Sequence, residues 1–313
     1  MKEKLKKFLF EYTRNSRITT KELGKKTGMS QQSASYLKSQ MISKKQINPT
    51  IIIDAVKLGY INVLVGFNFI NPENSIKKKV IAGLKENQAI IRIEECKEGI
   101  DLLIMYSTQN LSAFNKVHTE TIHEYHEELK TNFVCPIIVN HKYHKNYLIK
   151  KFDDKDIILF GDRSLREISK NEEKVLNELI KKPDKKLIDI ATSLKIQVKS
   201  IIKIKKSLEK KFIIKGYGAI IDNSSLEIER EIIFLRFSRE GVNLIDTFLE
   251  FSKYNKNIVE FTKLIGEYQI IIIVESLNRI DLLKKIRSEF PIEDYRIFKS
   301  EKIHKKQYMP EIT

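Results

Sequence analysis

Two landmarks repeat at one spacing along this chain, and that repeat limits the folds open to it more than any other feature. Ser30 and Gln197 each open the third helix of a basic, helix-rich stretch and stand 167 residues apart, and Gly99 and Gly266, each just before a strand, share that separation. A common offset at two independent points implies duplication of a whole multi-domain unit, so the 313 residues divide between two copies of one plan.

The plan reads more clearly in the second copy. Val175, Leu176, Leu179 and Ile180 form one helical stripe, and Leu187, Ile190, Ala191 and Leu194 form another, with Pro183 between them. A third helix is expected from Val198, with Val198, Ile201, Ile202 and Leu208 inward and Lys199, Lys203, Lys206 and Lys210 outward. The β-rich stretch Phe212–Asp222 then carries glycines suited to a tight hairpin or wing. In the first copy, Leu5, Phe8, Leu9 and Tyr12 line helix one and residues 20–26 form helix two. Gly28 suits a left-handed helix end, Ser30 caps the next helix, and Ala34, Leu37 and Met41 face the core.

A charge-neutral β-α-β-β-α-β segment follows each trihelical stretch. In the first copy it comprises Asn62–Ile70, Ser75–Glu86, Ala89–Glu95, Ile100–Ser107, Leu111–Lys130 and Phe133–Asn140. In the second it comprises Glu231–Ser238, Val242–Tyr254, Ile258–Leu264, Tyr268–Glu275, Arg279–Glu289 and Asp294–Lys302. That order matches a ferredoxin-like split βαβ unit, whose sheet face away from the helices must be solvated or paired, within the chain or across a homodimer. The expected class is α+β: two winged helix-turn-helix domains (1–58 and 165–226) alternating with two ferredoxin-like domains (59–148 and 227–313), with a linker at 149–164.

Charge follows the same division. Residues 1–46 hold 12 Lys/Arg against 3 Asp/Glu and residues 162–222 hold 16 against 9, whereas 47–161 and 223–313 balance at 14 against 14 and 15 against 15. A net +16 confined to two compact stretches points to a polyanionic partner rather than to general solubility. The apolar runs are far shorter than the ~20 residues that span a bilayer, and the basic N-terminus has helical rather than continuous apolar spacing, which reads as a cytoplasmic protein. Cys96 and Cys135 stand alone and read as buried thiols. His123-x-x-His126 and His141-x-x-His144 have metal-compatible spacing but sit among Glu, Lys and Tyr typical of a wet surface, so no metal or other cofactor is assigned. No phosphate-binding loop, dinucleotide glycine fingerprint or nucleophile elbow occurs, and the chain is expected not to be an enzyme.

The stretch Ser207–Asp222 followed by Leu226 resembles the end of the recognition helix, wing and connecting strand of the Lrp/AsnC, or feast/famine, transcriptional regulators. Leu187–Ala191, Glu22–Ser30, Asp54-x-x-x-Leu58-Gly59-Tyr60, Gly99-x-Asp101 and Gly266-x-Tyr268 resemble other parts of that family in the same order, twice over. Members ordinarily carry one such unit, so this chain resembles a tandem version. The second copy departs where Leu194–Gln197 lacks the turn glycine and the Ser/Thr cap, and where Gln269 stands in place of an acid.

The resemblance implies duplex DNA as partner, a homodimer or higher oligomer through the α/β domains, and a small effector such as an amino acid near Gly99, Asp101, Gly266 and Tyr268. Those glycines equally suit tight turns. A third helix enters the major groove with its first residues at base edges, which makes Gln31, Gln32, Ser33, Ser35 and Tyr36 the candidate readers, with Ser30 and Lys38 as further DNA-binding candidates. Lys199, Lys203 and Lys206 are candidate phosphate contacts, with Ser200 a further DNA-binding candidate, so that the first module specifies and the second mainly anchors. Two rivals share the architecture. One is a sirohaem-decarboxylase-like enzyme, for which the second copy offers His304 as its single histidine; the other is a sensor without DNA binding.

Overall fold

A computed structural model describes residues 1–162 and 164–312; Arg163, in the expected linker, and Thr313, at the end of the second ferredoxin-like domain, lie outside the described residues. The chain forms two units, each assembled from both sequence copies: residues 61–161 with 222–306, and residues 2–60 with 162–221 and 307–313.

The second of these holds both helix-turn-helices. In the first copy α1 (Glu3–Arg14), α2 (Thr20–Thr27) and α3 (Gln31–Ser43) bury Phe8, Leu9, Tyr12, Leu23, Ala34 and Met41. Gly28 ends α2 in the left-handed conformation, and the Ser30 hydroxyl caps α3 by accepting from the Ser33 N–H at 3.1 Å. In the second copy α6 (Lys170–Lys181), α7 (Leu187–Leu194) and α8 (Val198–Lys210) bury Val175, Leu176, Leu179, Ile190, Ile201 and Leu208. Ser169 and Glu172 form a reciprocal capping box at the start of α6.

The stretch expected as a tight hairpin or wing does not fold on itself but is one strand, β7 (Ile214–Ile221), paired antiparallel with β1 (Ile47–Ile53) of the other copy. Gly218 serves close approach rather than a turn: a Cβ there would lie 2.9 Å from the Thr13 carbonyl of α1. Ser16 N–H donates to the Tyr217 carbonyl at 3.3 Å and the Arg17 guanidinium lies over the Tyr217 ring, so the first helix-turn-helix rests on the strand that leaves the second. Lys57, 1% exposed, reaches the Asp162 carboxylate and the Ser164 hydroxyl.

The other unit holds both ferredoxin-like domains. In the first, β2 (Ile61–Phe69), α4 (Asn74–Glu86), β3 (Ile90–Lys97), β4 (Leu102–Thr108), α5 (Leu111–Glu124) and β5 (Leu129–Tyr143) keep the expected order. In the second, β8 (Glu229–Phe237), α9 (Ile245–Tyr254), β9 (Ile258–Leu264), β10 (Ile270–Ser276), α10 (Leu282–Glu289) and β11 (Ile292–Lys306) do the same. The helix expected over 111–130 ends at Glu124, since Leu129 and Lys130 already pair with Phe69 and Asn68. The segment expected as linker contains β6 (Asp156–Leu159), which adds to β5.

The last strand of each domain is 15 residues long and serves both sheets. β5 pairs first with β2 and then with β9, while β11 pairs first with β8 and then with β3. The sheets therefore join along both edges, and β2, β4, β3, β11, β8, β10, β9 and β5 close a ring among the described residues. One apolar core lies under α4 and α5, around Val65, Phe67, Leu84, Ile104 and Tyr106; another lies under α9 and α10, around Leu235, Phe248, Phe261, Ile272 and Ile286. The faces away from the helices meet inside the ring, so no homodimer is needed to cover them.

Candidate nucleic-acid interface

The unit boundaries follow from the fold alone, and they divide the charge completely. The helix-turn-helix unit carries 29 Lys/Arg against 13 Asp/Glu, while the sheet unit carries 28 of each. The whole +16 therefore lies on the helix-turn-helix unit.

On α3, Gln31, Gln32, Ser33, Ser35 and Tyr36 are all exposed, Tyr36 at 70%. The Ser30 and Ser33 hydroxyls bond each other at 2.9 Å within the cap. The Lys38 ammonium sits 5.2 Å over the Tyr12 ring, half-buried, and burial beside Arg17 holds its pKa below the usual lysine value despite Asp184. Ser30 and Ser33 thus act chiefly in the cap and Lys38 in packing, leaving Gln31, Gln32, Ser35 and Tyr36 as the open groups.

On α8, Lys199, Lys203 and Lys206 are exposed as expected, whereas Ser200 is half-buried. The expected inward set is wrong at two positions: Val198 and Ile202 are 38% and 39% exposed. Residues four apart share a flank of the helix, and Ile201 and Leu208 alone take the core face, with Ile204 partly covered. The departures noted in the preceding turn have structural counterparts. Lys195 holds the left-handed position (φ 55°) that Gly28 holds in the first copy, and Gln197 makes no side-chain cap.

Glu172, which is not among the residues expected from sequence, organises the second helix-turn-helix. Its carboxylate accepts from Ser207 at 2.7 Å and from Lys211 at 2.8 Å, as well as from the Ser169 N–H. Burial alone would raise its pKa, but these donors bring it down to about 2. The capping-box spacing Ser169-x-x-Glu172 was the available signal.

The expected effector positions have structural work. Gly99 takes φ 101°, and a Cβ there would lie 2.7 Å from the Phe298 ring; Gly266 takes φ 148°, with Cys135 Sγ at 3.2 Å from that point. Asp101 accepts from the Phe69 N–H at 2.8 Å, and Gln269 accepts from the Phe237 N–H at 3.0 Å. Both members of that bond are shifted by 168 residues, so the partner of Asp101 in the repeat is Gln269 rather than Tyr268. A neutral amide does the same job because only an acceptor is required. Tyr268 donates to Asp294 at 2.7 Å and lies beneath the Arg296 guanidinium. Phe234 bridges Tyr268 to Phe298, the ring that Gly99 abuts.

The interior of the ring holds a buried ionic network, with Phe133, Phe234 and Phe298 packed elsewhere between the sheets. Arg230, 3% exposed, donates to Glu94 at 2.7 Å and to Glu275 at 2.6 Å. Arg92 pairs with Glu94 and approaches Glu260 at 3.6 Å, Lys306 donates to Glu260 at 2.6 Å, and Lys145 pairs with Glu275. Burial raises the Glu275 pKa, yet Lys145 and Arg230 outweigh it and hold the carboxyl at about 2. Lys306 is desolvated and also faces Lys142, Arg92 and Arg230, so despite Glu260 its pKa falls to about 7. The histidine pairs are engaged separately: His141 with Asp156 at 2.9 Å, His144 with Asp153 at 3.3 Å, and His126 with the His123 carbonyl at 3.0 Å. Burial raises both thiol pKa values, that of Cys135 to about 11. Among the described residues no helix is long and apolar enough to cross a membrane.

No family model and no curated protein matches the sequence. Among solved structures, the siroheme decarboxylase NirDL aligns with 100% of this chain and 95% of its own, at 12% identity and a TM-score of 0.60. The same enzyme in complex with an iron-uroporphyrin III analogue aligns over 99% and 95%, at 11% identity and the same TM-score. The chain shares that enzyme's fold. An AsnC family transcriptional regulator from Agrobacterium tumefaciens aligns with 43% of this chain and 86% of its own, at 17% identity and a TM-score of 0.35, too low to carry weight. The end-to-end likeness accounts for the tandem α+β arrangement. It also corrects the expectation that the chain is not an enzyme, because the solved fold that it matches along its whole length is an enzyme's.

Proposed function

We propose that this protein binds double-stranded DNA through its paired helix-turn-helices and regulates transcription. The observation that carries this reading is the confinement of the entire +16 charge to the unit that displays both third helices. A duplex is a dense line of phosphates, and free lysines on one helix release its counterions on contact. Gln31 and Gln32 have the amide chemistry to pair with adenine edges, and Ser35 and Tyr36 stand exposed beside them. Lys199, Lys203 and Lys206 supply phosphate contacts. Fluorescence anisotropy on labelled genomic duplexes at several salt concentrations tests the reading: affinity falls steeply with salt if it is right, and absence of binding even in dilute buffer overturns it.

A second reading is catalytic, on a tetrapyrrole. Arg92, Arg230, Lys145 and Lys306 are cations of the kind that pair with tetrapyrrole carboxylates, although Glu94, Glu260 and Glu275 match them here. Titration with iron-uroporphyrin distinguishes the readings, since a shifted Soret band supports catalysis and an unchanged spectrum speaks against it.

A further inference from the structure

The two third helices present different chemistry at equivalent positions. At the 167-residue offset, Gln31 of α3 corresponds to Val198 of α8, and Ser35 corresponds to Ile202. The first copy is polar at both sites, whereas the second places two branched apolar side chains, 38% and 39% exposed, on one flank within the first two turns. Beside them Lys199, Lys203 and Lys206 are exposed, and Lys195 precedes the helix. Isolated apolar residues on a surface need no explanation, but a pair at helical spacing, edged by cations, constrains its occupant. The lysines select a polyanion. Within a DNA major groove, the one apolar group on a base edge is the thymine 5-methyl.

We propose that Val198 and Ile202 read thymine methyl groups, so that the second helix-turn-helix is a specificity module for A·T-containing DNA rather than an anchor alone. This rests on the DNA-binding reading above. The lysines beside this flank hold α8 to the phosphates while the apolar pair turns toward base edges. The start of α8 fits the same assignment: its first residue is Val198 where the first copy has Gln31.

The test compares anisotropy titrations of alternating dA-dT duplex and of the same duplex with uracil in place of thymine, which removes the methyl and leaves the pairing edges unchanged. Wild-type protein is expected to bind the thymine duplex about fourfold more tightly per methyl contacted. In the double variant Val198→Gln, Ile202→Ser, which installs the first copy's residues at exposed sites, the two duplexes should bind equally. Equal wild-type affinities, the result expected if this flank docks another protein, would overturn the proposal while leaving DNA binding intact. A preference for thymine that survives in the double variant would overturn the residue assignment. Absence of binding to either duplex would sink the DNA-binding reading itself.

Discussion

Removing Lys199, Lys203 and Lys206 together gives the sharpest test of how this protein would hold DNA. All three are exposed on α8, and among the described residues none makes an ion pair, unlike Lys205, which bonds Glu209 at 2.6 Å. Each lysine that neutralises a phosphate contributes about 0.9 to the slope of log affinity against log salt. Substituting all three by alanine, which favours the helix, should therefore flatten the slope by roughly 2.7. Taking the electrostatic contribution as negligible near 1 M salt, affinity at 0.1 M should drop by about two to three orders of magnitude. The control removes the same charge from the neutral unit by substituting Lys78, Lys79 and Lys116, which are exposed on α4 and α5. Anisotropy titrations between 50 and 300 mM salt, on one duplex and with all three proteins, supply the slopes. If the control flattens the line as much as the α8 variant, net charge alone governs binding and the assignment of phosphate contacts to α8 is refuted.

Replacing Gln31 and Gln32 by alanine should relax sequence preference, read as a narrowed ratio of specific to random-duplex affinity, by about 1–3 kcal/mol per lost bidentate contact while random-duplex affinity stays nearly constant. Gln197→Ser should supply the missing cap of α8 and stabilise the protein by about 0.5–2 kcal/mol, seen as a raised urea midpoint; an unchanged midpoint would show that the cap is not limiting. Glu172→Gln should cost about 1.5–3 kcal/mol at pH 7, since it removes a charge shared by Ser207, Lys211 and the Ser169 N–H. Because folding lowers the Glu172 pKa to about 2, its contribution is complete above its ordinary 4.5 and fades as pH falls toward 2, so the variant and wild-type stability curves should converge there. Lys306 behaves oppositely: its folded pKa of about 7 lies below the ordinary 10.5, so the unfolded chain binds the extra proton and stability should rise with pH across that interval. Lys306→Met should remove that rise in urea midpoints measured from pH 7 to pH 10.

The element order was legible because its elements are strongly patterned: β10 is a run of isoleucines, and α6 carries the stripe Val175, Leu176, Leu179 and Ile180. Pairing between the copies was not legible, because the sequence Ile47–Ile53 marks a strand but does not name its partner 174 residues away, where Ile47 meets Ile221. The extended lengths of β5 and β11 were hidden for a similar reason: Lys142, His141 and most of Asp294–Lys306 are polar or charged, and only opposing charges such as Glu260 and Glu94 make that part of a strand fit an interior. At the candidate interface, composition identified α8 as cationic but misplaced Val198 and Ile202, because isoleucine and valine beside Ile201 read as core until the helix rotation is fixed by packing. Tyr268 stands at the 167-residue offset from Asp101, but the bond that Asp101 makes to Phe69 recurs at an offset of 168, in Gln269 and Phe237.

Sharing β5 and β11 between the sheets sets a timetable for synthesis. The nascent N-terminal half emerges with the β3 edge bare and with β1 unpaired, and both partners, Lys299–Lys306 and Ile214–Ile221, are translated only in the second half. Until then its exposed strand edges are templates for mispairing with neighbouring chains, so truncated first halves should be prone to aggregation, and β11, translated after the other strands of the ring, acts as the latch for the whole barrel.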